Sequence, residues 1–310
     1  MERCPPEILL YIFELACDDD GSTGRALSLA STSVNHLSRE YKLQSVAVAG
    51  IHKFLPFYNM LVSLPERFRR VRHLFISSMS QCAPSVDGSR KVSLTTDISY
   101  DETCSAYAQV MQLLSPTIKS CQVVAHFPRK ATLLPYSCPI LEELTLQGPF
   151  PALLYDCERP YLPKLRSLTL SSFTDHPSNI FEYISTQAPR LETLSLYPAR
   201  PSRSMHGDLY VSLNIKPRCS RSSPPLECSD RTLLPPSVMK VFIQPGPQID
   251  SDARKAHCLQ NEQDLMKQNI LFMQKHDRRK RVIYVRPQKA LVNEEALTQW
   301  LNRKQVITEP

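Results

Sequence analysis

The residues of this chain that could do chemistry are scattered. Asp18-Asp19-Asp20 is a dense run of carboxylates, but acids adjacent in sequence point in different directions and do not converge on one cation. The run is read as closing the first helix. The eight histidines form no His-Glu-x-x-His, and no cysteine pair stands beside them at zinc spacing. Phosphate cradles and nucleophile elbows need glycine for close backbone approach and positive φ. The chain has only seven glycines, against 26 prolines, and contains no GxGxxG, GxxxxGK[ST] or GxSxG. The expectation is a protein with no catalytic residue, no metal and no cofactor.

Two basic clusters remain, Glu66-Arg67-Phe68-Arg69-Arg70-Val71-Arg72-His73 and Arg278-Arg279-Lys280-Arg281. Nucleic-acid binding through Arg69, Arg70, Arg279 and Lys280 is one reading. The other is a pair of solvated turns, since each cluster runs directly into an apolar, strand-like segment. A formal charge of +7 spread over 310 residues favours the turns. The ten cysteines include no CxxC, and several sit within apolar runs, as expected of reduced, mostly buried thiols. The Met-Glu-Arg start carries no basic-then-apolar leader, and no apolar run approaches the roughly 20 residues of a membrane span. The expected location is intracellular, cytoplasmic or nuclear, without a membrane partner.

The elements that position surface chemistry are legible in a repeat. "PILEELTLQG" from Pro139, "PKLRSLTLSS" from Pro163 and "PRLETLSLYP" from Pro189 each read Pro-x-Leu-x-x-Leu-x-Leu. Their first leucines, 141, 165 and 191, are 24 and 26 residues apart, within the roughly 20–29 of leucine-rich repeats. Weaker copies run Val71-x-x-Leu74-x-Ile76, Ile118-x-x-Cys121-x-Val123 and Val238-x-x-Val241-x-Ile243, and degenerate ones are expected near 90–96 and 208–215. Leu-x-Leu sends both leucines to one side of a strand, and one short strand cannot hide them, so the repeats must stack. Helix-like stretches at 178–187 and 103–114 alternate with the strands and imply a parallel sheet. The segments resemble leucine-rich repeats. Gly148-Pro149, Ser172-Phe173 and Pro198-Ala199 stand where that family has Asn, so an irregular, slightly opened solenoid is expected. The span 198–247 is expected to be partly loop.

At the N-terminus Pro5 and Pro6 suit the first turn of a helix, and Glu7 complements its dipole. Ile8, Leu9, Ile12, Phe13 and Leu15 make an apolar stripe wider than a small surface helix needs. A second helix is expected from Ser22 or Thr23, with Leu27, Ala30, Val34, Leu37 and Tyr41 on one face. Such short helices form a poor core alone.

Cys4-Pro5-Pro6-Glu7-Ile8-Leu9…Ile12-Phe13…Leu15 and Leu27-Ser28-Leu29-Ala30…Val34…Leu37 resemble the two halves of an F-box. Together with the repeats, they make the chain similar to fungal F-box proteins with leucine-rich-repeat-like C-terminal regions. The resemblance implies an F-box-like helical module over 1–45 and a substrate-recognition domain over 46–310. It implies the Skp adaptor as partner, and through it a cullin, with an unknown protein substrate held for ubiquitin transfer by other subunits. Pro5, Ile8, Leu9, Ile12, Phe13, Leu27, Leu29 and Val34 would face the adaptor. Substrate contacts are expected from residues between the inward leucines: Glu143, Thr145 and Gln147; Ser167, Thr169 and Ser171; Thr193, Ser195 and Tyr197. Phe75 and Phe242 hold the same phase in weaker copies and are aromatic hot-spot candidates if exposed. The alternative is a non-catalytic repeat scaffold whose N-terminal helices merely cap it. Near the C-terminus, 251–275 reads as a helix with Leu265, Ile270, Leu271 and Met273 as its apolar members, 281–285 as a strand, and 293–301 as a closing helix.

Overall fold

The computed structural model describes residues 4–78, 100–124, 133–134, 136–148, 161–174, 176–177, 179–215, 233–249, 256–289 and 295–307. The chain divides into two compact units, residues 1–128 with 292–310 and residues 129–291. Both units are α/β, and every strand pairing described is parallel.

The first unit opens with three helices, α1 (Pro6–Ala16), α2 (Ser22–Ala30) and α3 (Thr32–Ser38). There follow β1 (Ser45–Ala49), α4 (Phe54–Ser63), β2 (His73–Ser77), α5 (Tyr100–Leu114) and β3 (Ser120–Val124). The second unit carries β4 (Glu143–Gln147), β5 (Ser167–Ser171), α6 (Ile180–Gln187), β6 (Thr193–Tyr197), α7 (Arg203–Ser212), β7 (Lys240–Ile243), α8 (Ala256–His276) and β8 (Val282–Tyr284). The last helix, α9 (Ala296–Ile307), belongs to the first unit.

Strand register follows the apolar pattern. In the second unit Leu144, Leu168, Leu194, Val241 and Val282 align across β4 to β8, as do Leu146, Leu170, Leu196, Ile243 and Tyr284. A slip by one residue would turn each leucine to the opposite face, so burial fixes the register. The leucines that open each motif, Leu141, Leu165 and Leu191, are fully buried, and so are their weaker counterparts Val71, Ile118 and Val238. In the first unit Val46, Leu74 and Cys121 align, as do Val48, Ile76 and Val123. Here α4 contributes Phe54, Phe57 and Leu61 to the core, and α5 contributes Tyr107, Met111 and Leu114. Pro56 is tolerated in α4 because it lies in the first turn, where its missing N–H has no helical acceptor.

The structure corrects several expectations. The second helix breaks at Ser31, whose backbone is extended (φ −166°, ψ 164°) and whose hydroxyl accepts from the Val34 N–H at 3.1 Å. A capping serine competes with helix continuation, so α2 and α3 are separate. The segment 208–215, expected to hold a degenerate strand, begins inside α7; its counterpart at 90–96 lies outside the described residues. In α8 the buried apolar residues are Met266, Ile270 and Met273, whereas Leu265 and Leu271 are exposed. The strand β1 and helix α4 were not anticipated.

The aspartate run does not close α1. Asp19 accepts from the N–H groups of Gly21 and Thr23, both at 2.8 Å, and from the Ser22 hydroxyl at 2.6 Å. It therefore starts α2, where a carboxylate is favoured by the helix dipole. Partial burial pushes this carboxyl up, and the hydrogen bonds outweigh it, holding it below the usual range.

Candidate docking surface on the N-terminal helices

The width of the α1 stripe separates into two faces once the helix is placed. Phe13 and Cys17, one turn apart, are each 2% exposed and pack inward. Gln44 donates its side-chain N–H to the Glu14 carbonyl at 2.9 Å, and the Arg72 guanidinium pairs with the Glu14 carboxylate. His73 Nε2 lies 3.8 Å from an oxygen of Asp18. Burial, reinforced by the charge of Asp19, pushes the Cys17 thiol up to about 11. These contacts seat α1 on the segments flanking β1 and β2 with one defined side down.

The other side is apolar and open. Ile8, Tyr11, Ile12 and Leu15 are 51%, 61%, 47% and 63% exposed. Their spacing is i, i+3, i+4, i+7, a single helical stripe. On α2, Leu29 is 87% exposed. Both α1 and α2 pack on α3. A helix exposing four large apolar residues in one row has the form of an interface rather than of an ordinary surface.

Of the residues expected to face an adaptor, Pro5, Ile8, Ile12 and Leu29 are exposed, and Leu9, Leu27 and Val34 are half-buried. Phe13 is a correction: it is core, because it falls on the α1 face held down by Glu14 and Cys17. Tyr11 was missed; its i+3 relation to Ile8 was the available signal.

The expected substrate positions are distributed differently. Glu143 is exposed, and Thr145, Ser167, Thr193, Tyr197 and Phe242 are half-buried. Gln147, Thr169, Ser171 and Ser195 are buried. They lie in the register rows Thr145–Thr169–Ser195–Phe242 and Gln147–Ser171–Tyr197, in which Thr145, Phe242 and Tyr197 keep partial exposure while Gln147 and the small polar residues Thr169, Ser171 and Ser195 are covered. Phe75 is also a correction. It is fully buried, in a cluster with Ala49, Val124, Ala296 and Trp300, because α9 covers that face of β1 to β3.

The basic clusters are largely spent within the fold. Arg69 donates to the carbonyls of Leu64 and Val62 at the end of α4, at 2.8 and 3.0 Å. Arg70 pairs with Glu40 at 3.1 Å, and Arg67 lies over the Phe68 ring. Arg279 donates to the Pro236 carbonyl at 2.7 Å, and Arg281 is buried against Asp277. Among the described residues no group of three or more His, Cys, Asp or Glu is placed to hold a metal ion. No described helix is long and apolar enough to cross a membrane. No protein-family model, curated protein or solved structure matches this chain.

Proposed function

We propose that the chain is the substrate-recognition subunit of a Skp–cullin–F-box type ubiquitin ligase, with α1 to α3 as an F-box-like module and the strand-bearing remainder as an irregular leucine-rich-repeat-like solenoid. The observation that carries the reading is the outward stripe Ile8, Tyr11, Ile12 and Leu15, set within the residues that resemble the F-box opening. In this role the protein contributes no catalytic group. It acts by proximity, holding a substrate at high effective concentration near the transfer machinery of other subunits. Adaptor contacts come from Ile8, Tyr11, Ile12, Leu15 and Leu29, with Pro5 at the helix start. Leu9, Leu27 and Val34 support them from beneath. Substrate contacts fall to Glu143, Thr145, Ser167, Thr193, Tyr197 and Phe242.

A second reading has its own support. Gln44 and Arg72 tie α1 to the segments flanking β1 and β2, as a terminal cap would be tied, and a repeat scaffold without ligase function needs such a cap. Co-purification with the Skp adaptor separates the two, comparing wild type with Ile8→Asp/Ile12→Asp. Capture by the wild type, lost in a variant with an unchanged unfolding midpoint, supports the ligase role. Failure of the folded wild type to capture the adaptor leaves the scaffold.

A further inference from the structure

Between α2, α4 and the outer edge of β1 lies a groove of about 510 Å³, within the roughly 300–1,000 Å³ of small-molecule sites. Its walls are Leu29, Leu43, Val46, Val48, Phe57 and Met60. Val46, Val48 and Phe57 are also core residues, fixed by packing, so this part of the groove is preformed.

Its charges are of one sign. Arg25, Lys42 and Lys53 line it, and no carboxylate does. None of the three forms an ion pair or side-chain hydrogen bond among the described residues. The nearby acids are engaged elsewhere: Asp19 holds Gly21, Ser22 and Thr23, and Asp20 accepts from the Ser22 N–H at 3.0 Å. An apolar cleft bordered by unpaired cations is complementary to an apolar body with an anionic head. An extended peptide would need free main-chain partners along the strand edge. The Ala47 N–H on that edge already donates to the Asp20 carbonyl at 3.2 Å, which disfavours a peptide.

We propose that this groove binds a free long-chain carboxylate, its acyl chain against Leu43, Val48, Phe57 and Met60 and its head among Arg25, Lys42 and Lys53. The inference does not rest on the ligase reading, since it requires no partner protein, although Leu29 borders both the groove and the proposed adaptor surface. The test uses the purified full chain and cis-parinarate fluorescence, with displacement by palmitate and by hexadecanol, the uncharged chain of the same length. Palmitate is expected to displace the probe. Hexadecanol, and palmitate against Arg25→Gln/Lys42→Gln/Lys53→Gln, are expected to be weaker by about tenfold or more, the loss of one charge-assisted contact or more. The thermal midpoint of the ligand-free triple variant should match that of the wild type, because none of the three side chains has an ion pair or side-chain hydrogen bond among the described residues. Met60→Glu, an acid at the exposed lip, should weaken palmitate without touching the cations. The proposal fails if the wild type does not bind cis-parinarate, if hexadecanol competes as well as palmitate, or if the folded triple variant binds palmitate undiminished. It also fails if the chain pelleted with anionic vesicles while ignoring free palmitate, which would make the groove part of a membrane-facing surface.

Discussion

Phe75 of β2 packs against Trp300 of α9, with ring centroids 5.6 Å apart and planes inclined at 44°. A residue in the middle of the first unit's strand layer is thus buried by a helix more than two hundred positions later. Trp300→Ala removes the main apolar body of that helix. It should cost about 3–5 kcal/mol, as for truncation of other buried aromatics, read as a lower urea midpoint. A midpoint unchanged by the substitution would mean that α9 does not cover the layer in solution.

Neighbours on α1 should behave oppositely. Phe13→Ala is expected to cost about 3–5 kcal/mol, because the ring is buried. Tyr11→Ala removes an outward ring and should leave the unfolding midpoint in place; under the proposed ligase role it should weaken adaptor capture. Urea titrations of the two variants, followed by the capture assay, check both halves of the expectation.

Gly24 is the place where α2 approaches the segment between α3 and β1. A Cβ built there would stand 2.2 Å from the Lys42 carbonyl oxygen and 2.8 Å from two further backbone atoms of Lys42. Since that obstacle is main chain, it cannot swing aside. Gly24→Ala should destabilise the first unit by roughly 1–3 kcal/mol through overpacking. An exposed-site control, Ala26→Gly, changes propensity without a clash, and by only about 1 kcal/mol.

In the second unit Arg281 and Asp277 form a two-point pair, with Nη2 to Oδ1 at 2.9 Å and Nε to Oδ2 at 3.2 Å, both residues buried. Arg281 also donates to the Leu213 carbonyl at 3.2 Å, joining the end of α7 to the turn after α8. Burial pushes the Asp277 carboxyl up, but the hydrogen bonds and charge of Arg281 outweigh it and hold it below the usual range. Leaving one ion buried without the other costs about 3–5 kcal/mol, so Arg281→Ala should lower the thermal midpoint sharply. Arg281→Lys should not restore it, since an ammonium cannot reproduce the planar fork.

Acid sensitivity should begin with His206. Burial lowers its basicity below the ordinary 6.5, and nearby His176 lowers it further against the raising effect of the Ser202 carbonyl. The unfolded chain therefore binds a proton at a pH where the folded chain does not. The associated stability is complete above about pH 6.5 and is lost progressively as pH falls from there toward the folded value. Asp19 and Asp277, both depressed, add their loss only below the ordinary carboxylate value of 3.8. Urea midpoints between pH 7.5 and 5 should decline in the wild type and stay flatter in His206→Gln.

Much of the architecture is written in local pattern. The Pro-x-Leu-x-x-Leu-x-Leu segments specify strands because period two puts their leucines on one face, and the spacing between copies leaves room for a crossover and hence parallel pairing. The opening segment specifies a helix through Pro5, Pro6 and Glu7, all effects that act within one turn. What the pattern leaves open is which side of an element meets the rest of the chain. Phe13 and Ile12 are adjacent and equally apolar, and only the seating of α1 by Gln44 and Arg72 makes one core and the other surface. Phe75 has the same phase along its strand as Phe242, yet the first is fully buried, under α9 of its own unit, and the second is half-buried. The groove rimmed by Arg25, Lys42 and Lys53 gathers residues from α2, from the turn before β1 and from the start of α4, with no shared spacing to reveal it. The strands that carry the repeated motif and the helix after Pro5-Pro6 follow from sequence alone, since those preferences are set by near neighbours, whereas β1, α4 and the break at Ser31 carry no such repeated signal. Which apolar residues are covered, and which cations line one groove, follow only from the folded chain, because both depend on contacts between positions far apart in sequence.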